Sequence, residues 1–167
     1  HIMLELKARR QFRNVLIVCP KSLQEKWKTE LEDKFGLYFK IYETNKDLAT
    51  DLSDRDGVIR GIINYEKIRV GKDKPNTLLS LLENNNKSFS LIVCDEAHKL
   101  RNEGTQTYKG ASQLMSHTKT ALFLTATPIM IDARNLYNLL HLLDDYNFSD
   151  FSIFEAGRQR NIPFIKA

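Results

Sequence analysis

The sequence predicts an α/β fold of three layers, in which helices cover both faces of a mostly parallel sheet. Short apolar runs rich in β-branched residues recur along the chain, which is typical of strands buried on both faces. Between these runs lie segments whose apolar residues repeat every third or fourth position, as on an amphipathic helix. Because strands and helices alternate, parallel pairing through helical crossovers is favoured.

Length and composition limit the class of protein. The 167 residues allow one domain with a sizeable core, and the content of 42% hydrophobic and 28% charged residues is that of a soluble globular chain. No apolar run reaches the roughly 20 residues that cross a bilayer, so we expect no membrane partner. We expect an intracellular protein, in the cytoplasm or nucleoid of a bacterium or the nucleus of a eukaryote. The net charge of +4 is compatible with a polyanionic partner without requiring one.

The first predicted strand is Val15–Cys19, which Pro20 ends. A capping-box pattern at 22–25 then predicts the start of a helix, and Gly36 is placed to end it. The apolar stripe of this helix consists of Leu23, Trp27, Leu31 and Phe35. A tryptophan on such a stripe is more often a core residue than a base-stacking one, so we interpret Trp27 as core.

Further strands are predicted at 39–42, 58–63, 91–94 and 121–124. A short helix is predicted at 78–83, before a turn of three asparagines. Two amphipathic helices are predicted on the stripes Tyr108, Ala111, Leu114, Met115 and Leu136, Leu139, Leu140, Leu143. We expect residues 146–167 to be a helical or loop extension packed through Phe148, Phe151 and Phe154. Cys19 and Cys94 lie inside apolar runs, which favours buried, reduced thiols over a disulfide.

Three strands end in distinctive polar segments: Pro20-Lys21-Ser22, Asp95-Glu96-Ala97-His98 and Thr125-Ala126-Thr127-Pro128. The carboxyl ends of parallel strands share one edge of the sheet, where ligands bind, so these segments should converge. Adjacent carboxylates at that edge suit a hydrated magnesium ion and the activation of a nearby water. A strand followed by a polar turn is the alternative for this acidic pair taken alone.

In this order and separation, the segments resemble those of the Swi/Snf-type DNA translocases of helicase superfamily two. The resemblance covers about residues 4–143. Residues 15–23 with Trp27 and Glu30 resemble motif Ia, residues 95–102 resemble an extended motif II, and residues 124–129 resemble motif III. Asn64-Tyr65-Glu66 stands where this family carries a Thr-Tyr-Glu-like segment.

The resemblance implies a RecA-like ATP-binding lobe over residues 4–145 that couples ATP hydrolysis to movement along duplex DNA. Asp95 would hold Mg²⁺ through water, and Glu96 would orient or deprotonate the attacking water, so both belong to the ATP–Mg²⁺ site. Residues that would relay the nucleotide state are His98, Thr125 and Thr127. Residues that would contact DNA are Pro20, Lys21, Ser22, Asn64 and Tyr65. For Lys21 and Ser22, a solvated lysine beside an ordinary helix cap is the alternative.

One element of such a motor is absent from the sequence. No Gly-x-x-x-x-Gly-Lys-Ser/Thr loop, which would cradle the β- and γ-phosphates, occurs in the 167 residues. The family places this loop one helix before motif Ia, and residues 4–10 resemble the end of that helix. We expect His1-Ile2-Met3 to be a cloning remnant outside the fold. The chain is therefore expected to be an inactive fragment, without bound ATP or Mg²⁺, of a longer ATPase with a second RecA-like lobe.

Smaller departures are Asn64, where the family has threonine, and Met130-Ile131, where it usually has Gln-Asn. They bear on the details of DNA contact. The first alternative function is a degenerate module that binds DNA or a protein complex without hydrolysing ATP. A small-molecule α/β enzyme is disfavoured, because neither a nucleophile elbow nor a glycine-rich first turn is present.

Overall fold

The computed structural model describes residues 2–54, 57–71, 77–126 and 132–165. Five strands of these residues form one sheet, in the order β2-β3-β1-β4-β5, and every neighbouring pair is parallel. The strands are β1 (Val15–Cys19), β2 (Lys40–Ile41), β3 (Arg60–Asn64), β4 (Leu91–Asp95) and β5 (Ala121–Leu124). This confirms the predicted parallel α/β sheet.

Seven α-helices connect and follow the strands in the described chain. They are α1 (Ile2–Ala8), α2 (Gln24–Phe35), α3 (Asn45–Ser53), α4 (Thr77–Asn84), α5 (Gln106–Met115), α6 (Ala133–Leu143) and α7 (Phe151–Ile165). Three strands are followed, directly or after one residue, by a short 3-10 turn. These turns are Lys21–Leu23 after β1, Tyr65–Ile68 after β3 and Ala97–Leu100 after β4. None of the helices described is long and apolar enough to cross a membrane.

The central strand β1 divides its side chains between two cores, because successive residues of a strand point to opposite faces. Leu16 and Val18 belong to a cluster that includes buried residues of α3, α4, α5 and α6. Val15 and Ile17 belong to a second cluster, which is covered by α1 and α2. The three predicted layers are therefore present, with the sheet between two groups of helices.

The start of α2 differs from the prediction. Ser22 lies inside the 3-10 turn Lys21–Leu23, and α2 begins at Gln24 with Leu23 as its N-cap residue and no side-chain cap. The predicted capping box is therefore wrong, because the chain tightens into this turn directly after Pro20. Gly36 ends the helix as predicted, in the left-handed conformation with φ 59°.

The fold differs from the predictions at two further places. Helix α3 was not predicted, because only Leu48 and Leu52 mark its buried side. Thr44 caps it by accepting a hydrogen bond from the Asp47 N–H. Ile2 and Met3 belong to α1, and Met3 packs against the second cluster, so excluding these two residues from the fold was wrong.

The C-terminal extension packs through aromatic residues, as predicted. The rings of Phe151 and Phe154 on α7 lie 5.3 and 5.6 Å from that of Tyr137 on α6. Phe148 contacts Phe154 at 6.1 Å between ring centroids. These contacts attach α7 to α6.

Gly61 lies where β3 and a neighbouring side chain approach closely. A Cβ atom at this position would lie 2.7 Å from Cε2 of Tyr42 and 3.3 Å from Cδ1 of Leu16. The Tyr42 ring is fixed because its hydroxyl donates to Asp51 Oδ2 at 2.7 Å. We expect Gly61→Ala to lower the free energy of unfolding by about 1–3 kcal/mol through overpacking. Urea denaturation measures this change.

The matched control is Gly104→Ala, because a Cβ atom there would meet nothing within 4 Å. This variant is expected to change stability by less than about 1 kcal/mol. Equal effects at the two glycines would contradict the close approach at Gly61.

Candidate functional site

The predicted polar segments converge at the carboxyl edge of the sheet. Asp95 is in register with Leu124, so Thr125 follows directly beyond the residue that pairs with Asp95. On the other side, Val18 pairs with Cys94 and Cys19 with Asn64. Since neighbouring strands lie about 4.8 Å apart, the ends of β3, β1, β4 and β5 form one continuous rim. Thr127 and Pro128 lie outside the described residues.

Asp95 is held by three hydrogen bonds. Its Oδ2 accepts a hydrogen bond from the Trp27 indole N–H at 2.8 Å, and its Oδ1 accepts one from the Glu96 backbone N–H at 2.9 Å. The hydroxyl of Tyr65 donates to its backbone carbonyl at 2.6 Å. Each carboxylate oxygen still has a lone pair for a further donor. The carboxylate is therefore fixed in orientation while remaining able to accept more hydrogen bonds.

Glu96 adopts a backbone conformation that L residues other than glycine and asparagine rarely take. Its φ of 55° and ψ of 47° are left-handed, and the 3-10 turn Ala97–Leu100 begins directly after it. Ala97 and Leu100 are buried in the first cluster and anchor this turn. The turn brings the His98 ring to the Glu96 side chain, with 3.1 Å between His98 Nδ1 and Glu96 Oε2. The Nδ1 atom of His98 is buried and has no hydrogen-bond partner among the described residues.

The structure corrects the interpretation of Trp27 and shows where Tyr65 lies. Trp27 is half-buried against the second cluster, but its N–H binds Asp95, so it is more than a core residue. Tyr65 is 8% exposed and its hydroxyl donates to the Asp95 carbonyl, so little of its side chain is open to solvent. A direct DNA contact by Tyr65 stays a prediction. Burial raises the pKa of Tyr65, with smaller contributions from the neighbouring Cys94 and Asp95, so the hydroxyl remains a neutral donor.

The remaining predicted DNA-contacting residues lie at the start of the rim. Lys21 and Ser22 are exposed, and Pro20 is half-buried between β1 and the following turn. Ser22 makes no cap hydrogen bond, which removes the helix-cap alternative for its hydroxyl. The side chain of Asn64 accepts a hydrogen bond from the Glu66 N–H at 3.1 Å and so caps the turn Tyr65–Ile68. Lys21 forms no ion pair with any residue the structure describes.

Both cysteines are free and buried in adjacent strands, as predicted. Burial raises the pKa of Cys19 to about 12, and the charge of Asp95 contributes further. Burial also raises the pKa of Cys94 well above its ordinary value. Neither thiol is therefore a nucleophile at neutral pH.

The two acids of the rim suit a Mg²⁺ site that is completed by water and substrate phosphates, not a site enclosed by protein side chains. Within the described residues, no group of three or more His, Cys, Asp or Glu side chains could enclose a metal ion. Asp95 and Glu96 alone fit Mg²⁺, which usually keeps several waters and takes one or two carboxylates together with substrate phosphates. The cavity beside Asp95 has a volume of only 180 Å³ and is lined by Leu23, Lys26, Trp27, Glu30 and Asp95. It is smaller than typical ligand pockets of about 300–1,000 Å³.

A model of the SNF2-related domain matches residues 2–166, almost the whole chain. The chain belongs to the SNF2-related domain family. This confirms the resemblance to Swi/Snf-type members of helicase superfamily two.

Curated relatives of this SNF2-related chain include RNA polymerase-associated protein RapA of two bacteria. The protein of Serratia proteamaculans (strain 568) is 31% identical over 159 residues, and that of Actinobacillus pleuropneumoniae serotype 3 (strain JL03) is 29% identical over 163 residues. Each alignment covers 92% of this chain but only 16% of the relative. The chain therefore spans about a sixth of the length of these relatives.

Two solved structures share the fold of this SNF2-related chain. The SWI2/SNF2 ATPase core of Sulfolobus solfataricus in complex with dsDNA matches with a TM-score of 0.69 at 20% identity, over 93% of this chain and 30% of that one. The structure described as the core domain of the same ATPase matches with a TM-score of 0.63 at 22% identity, over 93% and 29%. The predicted RecA-like architecture is confirmed.

Proposed function

We propose that this chain is part of the ATP-binding lobe of an ATP-dependent translocase on duplex DNA. In this proposal, residues 4–145 belong to the lobe and 146–167 extend it, and a second RecA-like lobe lies elsewhere in the same protein. The observation that carries the proposal is the Asp95 carboxylate, fixed at both oxygens at the carboxyl edge with Glu96 and His98 beside it. A polar turn without catalytic work has no evident need for this arrangement.

The residues of the rim would each have a separate role in ATP hydrolysis. Mg²⁺, when bound, supplies charge neutralisation at the phosphates of ATP. Asp95 would accept hydrogen bonds from water molecules in the metal's shell. Glu96 would orient the attacking water or take its proton, as a general base within hydrogen-bond reach. His98, 3.1 Å from Glu96, and Thr125 and Thr127 after β5 would relay the state of this site to the DNA-binding rim.

The phosphate-binding loop is the part that the 167 residues do not contain. We therefore expect this chain alone to bind neither ATP nor Mg²⁺ tightly and to show no turnover. The full-length protein should hydrolyse ATP with Mg²⁺, and duplex DNA should stimulate this hydrolysis. Phosphate release measured for the 167-residue chain and for the full-length protein, each with and without DNA, tests the proposal. Turnover by the 167-residue chain alone would contradict the predicted inactivity, and no turnover by the full-length protein would contradict the translocase.

A module that binds DNA or protein without hydrolysis is the second candidate. An intact phosphate loop before residue 4 in the full-length sequence would favour the motor and a degenerate one this module, and the intact Asp95-Glu96 pair favours the motor. The relatives named as RNA polymerase-associated support a protein complex, in an intracellular setting, as a further partner in either case. Tight duplex binding by a full-length protein that never hydrolyses ATP would favour this second candidate.

Lys21 supplies a separate test of the DNA-binding rim. Its side chain is exposed at the end of β1 and forms no ion pair with described residues, so its charge is available to a phosphate. We expect Lys21→Ala to weaken duplex binding and to reduce the slope of log K against log salt by about 1. Fluorescence anisotropy with labelled duplex DNA over a range of salt concentrations measures both quantities.

The control for this test is Lys119→Ala. Lys119 is also exposed, but it precedes β5 and so lies at the opposite edge of the sheet. Lys119→Ala should leave the slope of log K against log salt unchanged. An unchanged slope for Lys21→Ala as well would favour the solvated-lysine alternative.

A further inference from the structure

The indole of Trp27 connects helix α2 to the acidic end of β4. Its Nε1–H donates to Asp95 Oδ2 at 2.8 Å, across 68 positions of sequence. Trp27 is the only tryptophan in the chain. An indole N–H can only donate, and a half-buried donor that finds a carboxylate gains a charge-assisted hydrogen bond. The contact therefore ties a core-packed ring to one oxygen of the acid.

The other hydrogen bonds of Asp95 leave its Oδ2 atom without a donor. The Glu96 backbone N–H holds Oδ1, and the Tyr65 hydroxyl holds only the backbone carbonyl. The terminal torsion of an aspartate side chain is soft, with broad, roughly two-fold preferences. Without the indole, the carboxylate would be held at one oxygen and could rotate about its last bond. With it, both oxygens have fixed directions.

We propose that Trp27 is a positioning residue whose indole N–H orients the Asp95 carboxylate for Mg²⁺. This inference rests on the proposed ATPase function of the same site. Outer partners that hydrogen-bond to metal-binding side chains typically change metal affinity 10- to 100-fold when removed. The ring also packs against the second cluster, so a purely structural role is the rival explanation.

The first test separates the hydrogen bond from the packing of the ring. Trp27→Phe removes the N–H and keeps an aromatic ring, and a benzothienyl-alanine at position 27 replaces only the N–H by sulfur and keeps the full shape. In the full-length protein, we expect either change to raise the Mg²⁺ concentration for half-maximal ATP hydrolysis by about tenfold. Turnover at saturating Mg²⁺ should change less. The analogue retains the packed shape, so it decides the question if the phenylalanine variant is unstable.

The matched control is Glu32→Gln. Glu32 is an exposed acid on the same helix α2, and it forms no ion pair with any residue the structure describes. This variant should leave the Mg²⁺ dependence of hydrolysis unchanged. A tenfold shift in Mg²⁺ dependence for Glu32→Gln as well would overturn a specific role for the indole.

The second test does not depend on hydrolysis. Because the chain has one tryptophan, its ¹H–¹⁵N spectrum should contain a single indole N–H resonance. We expect this resonance to lie downfield and to lose that shift in Asp95→Ala. An indole resonance that is the same in both proteins would overturn the hydrogen bond.

The outcomes distinguish the two proposals. An active ATPase whose Mg²⁺ dependence is unaltered by the benzothienyl analogue would overturn the positioning role alone. A full-length protein without Mg²⁺-dependent hydrolysis would overturn the proposed function and this inference with it. A shift in Mg²⁺ dependence together with the Asp95-dependent resonance supports both.

Discussion

Full-length protein that carries Glu96→Gln is expected to bind ATP and Mg²⁺ and to hydrolyse ATP about 10²–10⁴ times more slowly than the wild type. The substitution keeps the size and hydrogen-bonding reach of the side chain but removes the group that can take a proton. Glu96 lies at the carboxyl edge, on the turn that follows Asp95, and is half-buried beside His98. Binding should persist because the substitution removes none of the hydrogen bonds of Asp95: Trp27 and Tyr65 are unchanged, and the third donor is the backbone N–H of position 96.

Single-turnover hydrolysis and the equilibrium binding of a fluorescent ATP analogue measure the two effects separately. Glu103→Gln is the control, since Glu103 is an exposed acid in the loop before α5. It should hydrolyse ATP at the wild-type rate. Hydrolysis by Glu96→Gln at a near-wild-type rate would remove Glu96 from its proposed role.

The largest expected effect on stability is that of Phe89→Ala. Phe89 is fully buried, and it is among the largest side chains of the first cluster. Its backbone is also fixed, because its N–H donates to the His117 carbonyl at 2.8 Å and its carbonyl accepts from the Lys119 N–H at 3.0 Å. The surrounding structure therefore has little freedom to close the cavity that alanine would leave. We expect the free energy of unfolding to fall by about 3–5 kcal/mol.

Such a loss is a large part of the roughly 5–15 kcal/mol that stabilises an ordinary domain. Urea denaturation followed by circular dichroism measures it. Phe35→Ala is the matched control, because Phe35 is 38% exposed at the end of α2. That variant should lose about 1 kcal/mol or less. Similar losses for the two phenylalanines would contradict the packing described for Phe89.

The strands β1, β4 and β5 were predictable because each is a continuous apolar run with a clear end. Helix α3 was not, since a helix with only two buried leucines has almost no periodic signal. The strand predicted at 39–42 is present, but only as the two residues Lys40–Ile41. Tertiary contacts decide the extent of such short elements.

Within the site, the position of the acids followed from the end of β4, but their partners did not. Periodicity identified Trp27 as facing inward, yet it carries no information about which atom the indole N–H would meet. Tyr65 lies 30 positions before Asp95, and its hydroxyl contact depends on how β3 and β4 flank β1. Such contacts arise from the register of the sheet, which local sequence patterns do not encode.

At position 96, the left-handed backbone conformation favours one residue type and the proposed proton transfer requires another. For a residue with a Cβ atom, this conformation costs about 1 kcal/mol or more, a cost that glycine would not incur. Glycine, however, has no carboxylate with which to handle a proton. The residue that would best suit the backbone is thus not the residue that the proposed chemistry requires. Efforts to stabilise this domain by relieving unfavourable φ values should therefore exclude position 96 and begin at Arg10 or Asn86, which have positive φ values in the segments that follow α1 and α4.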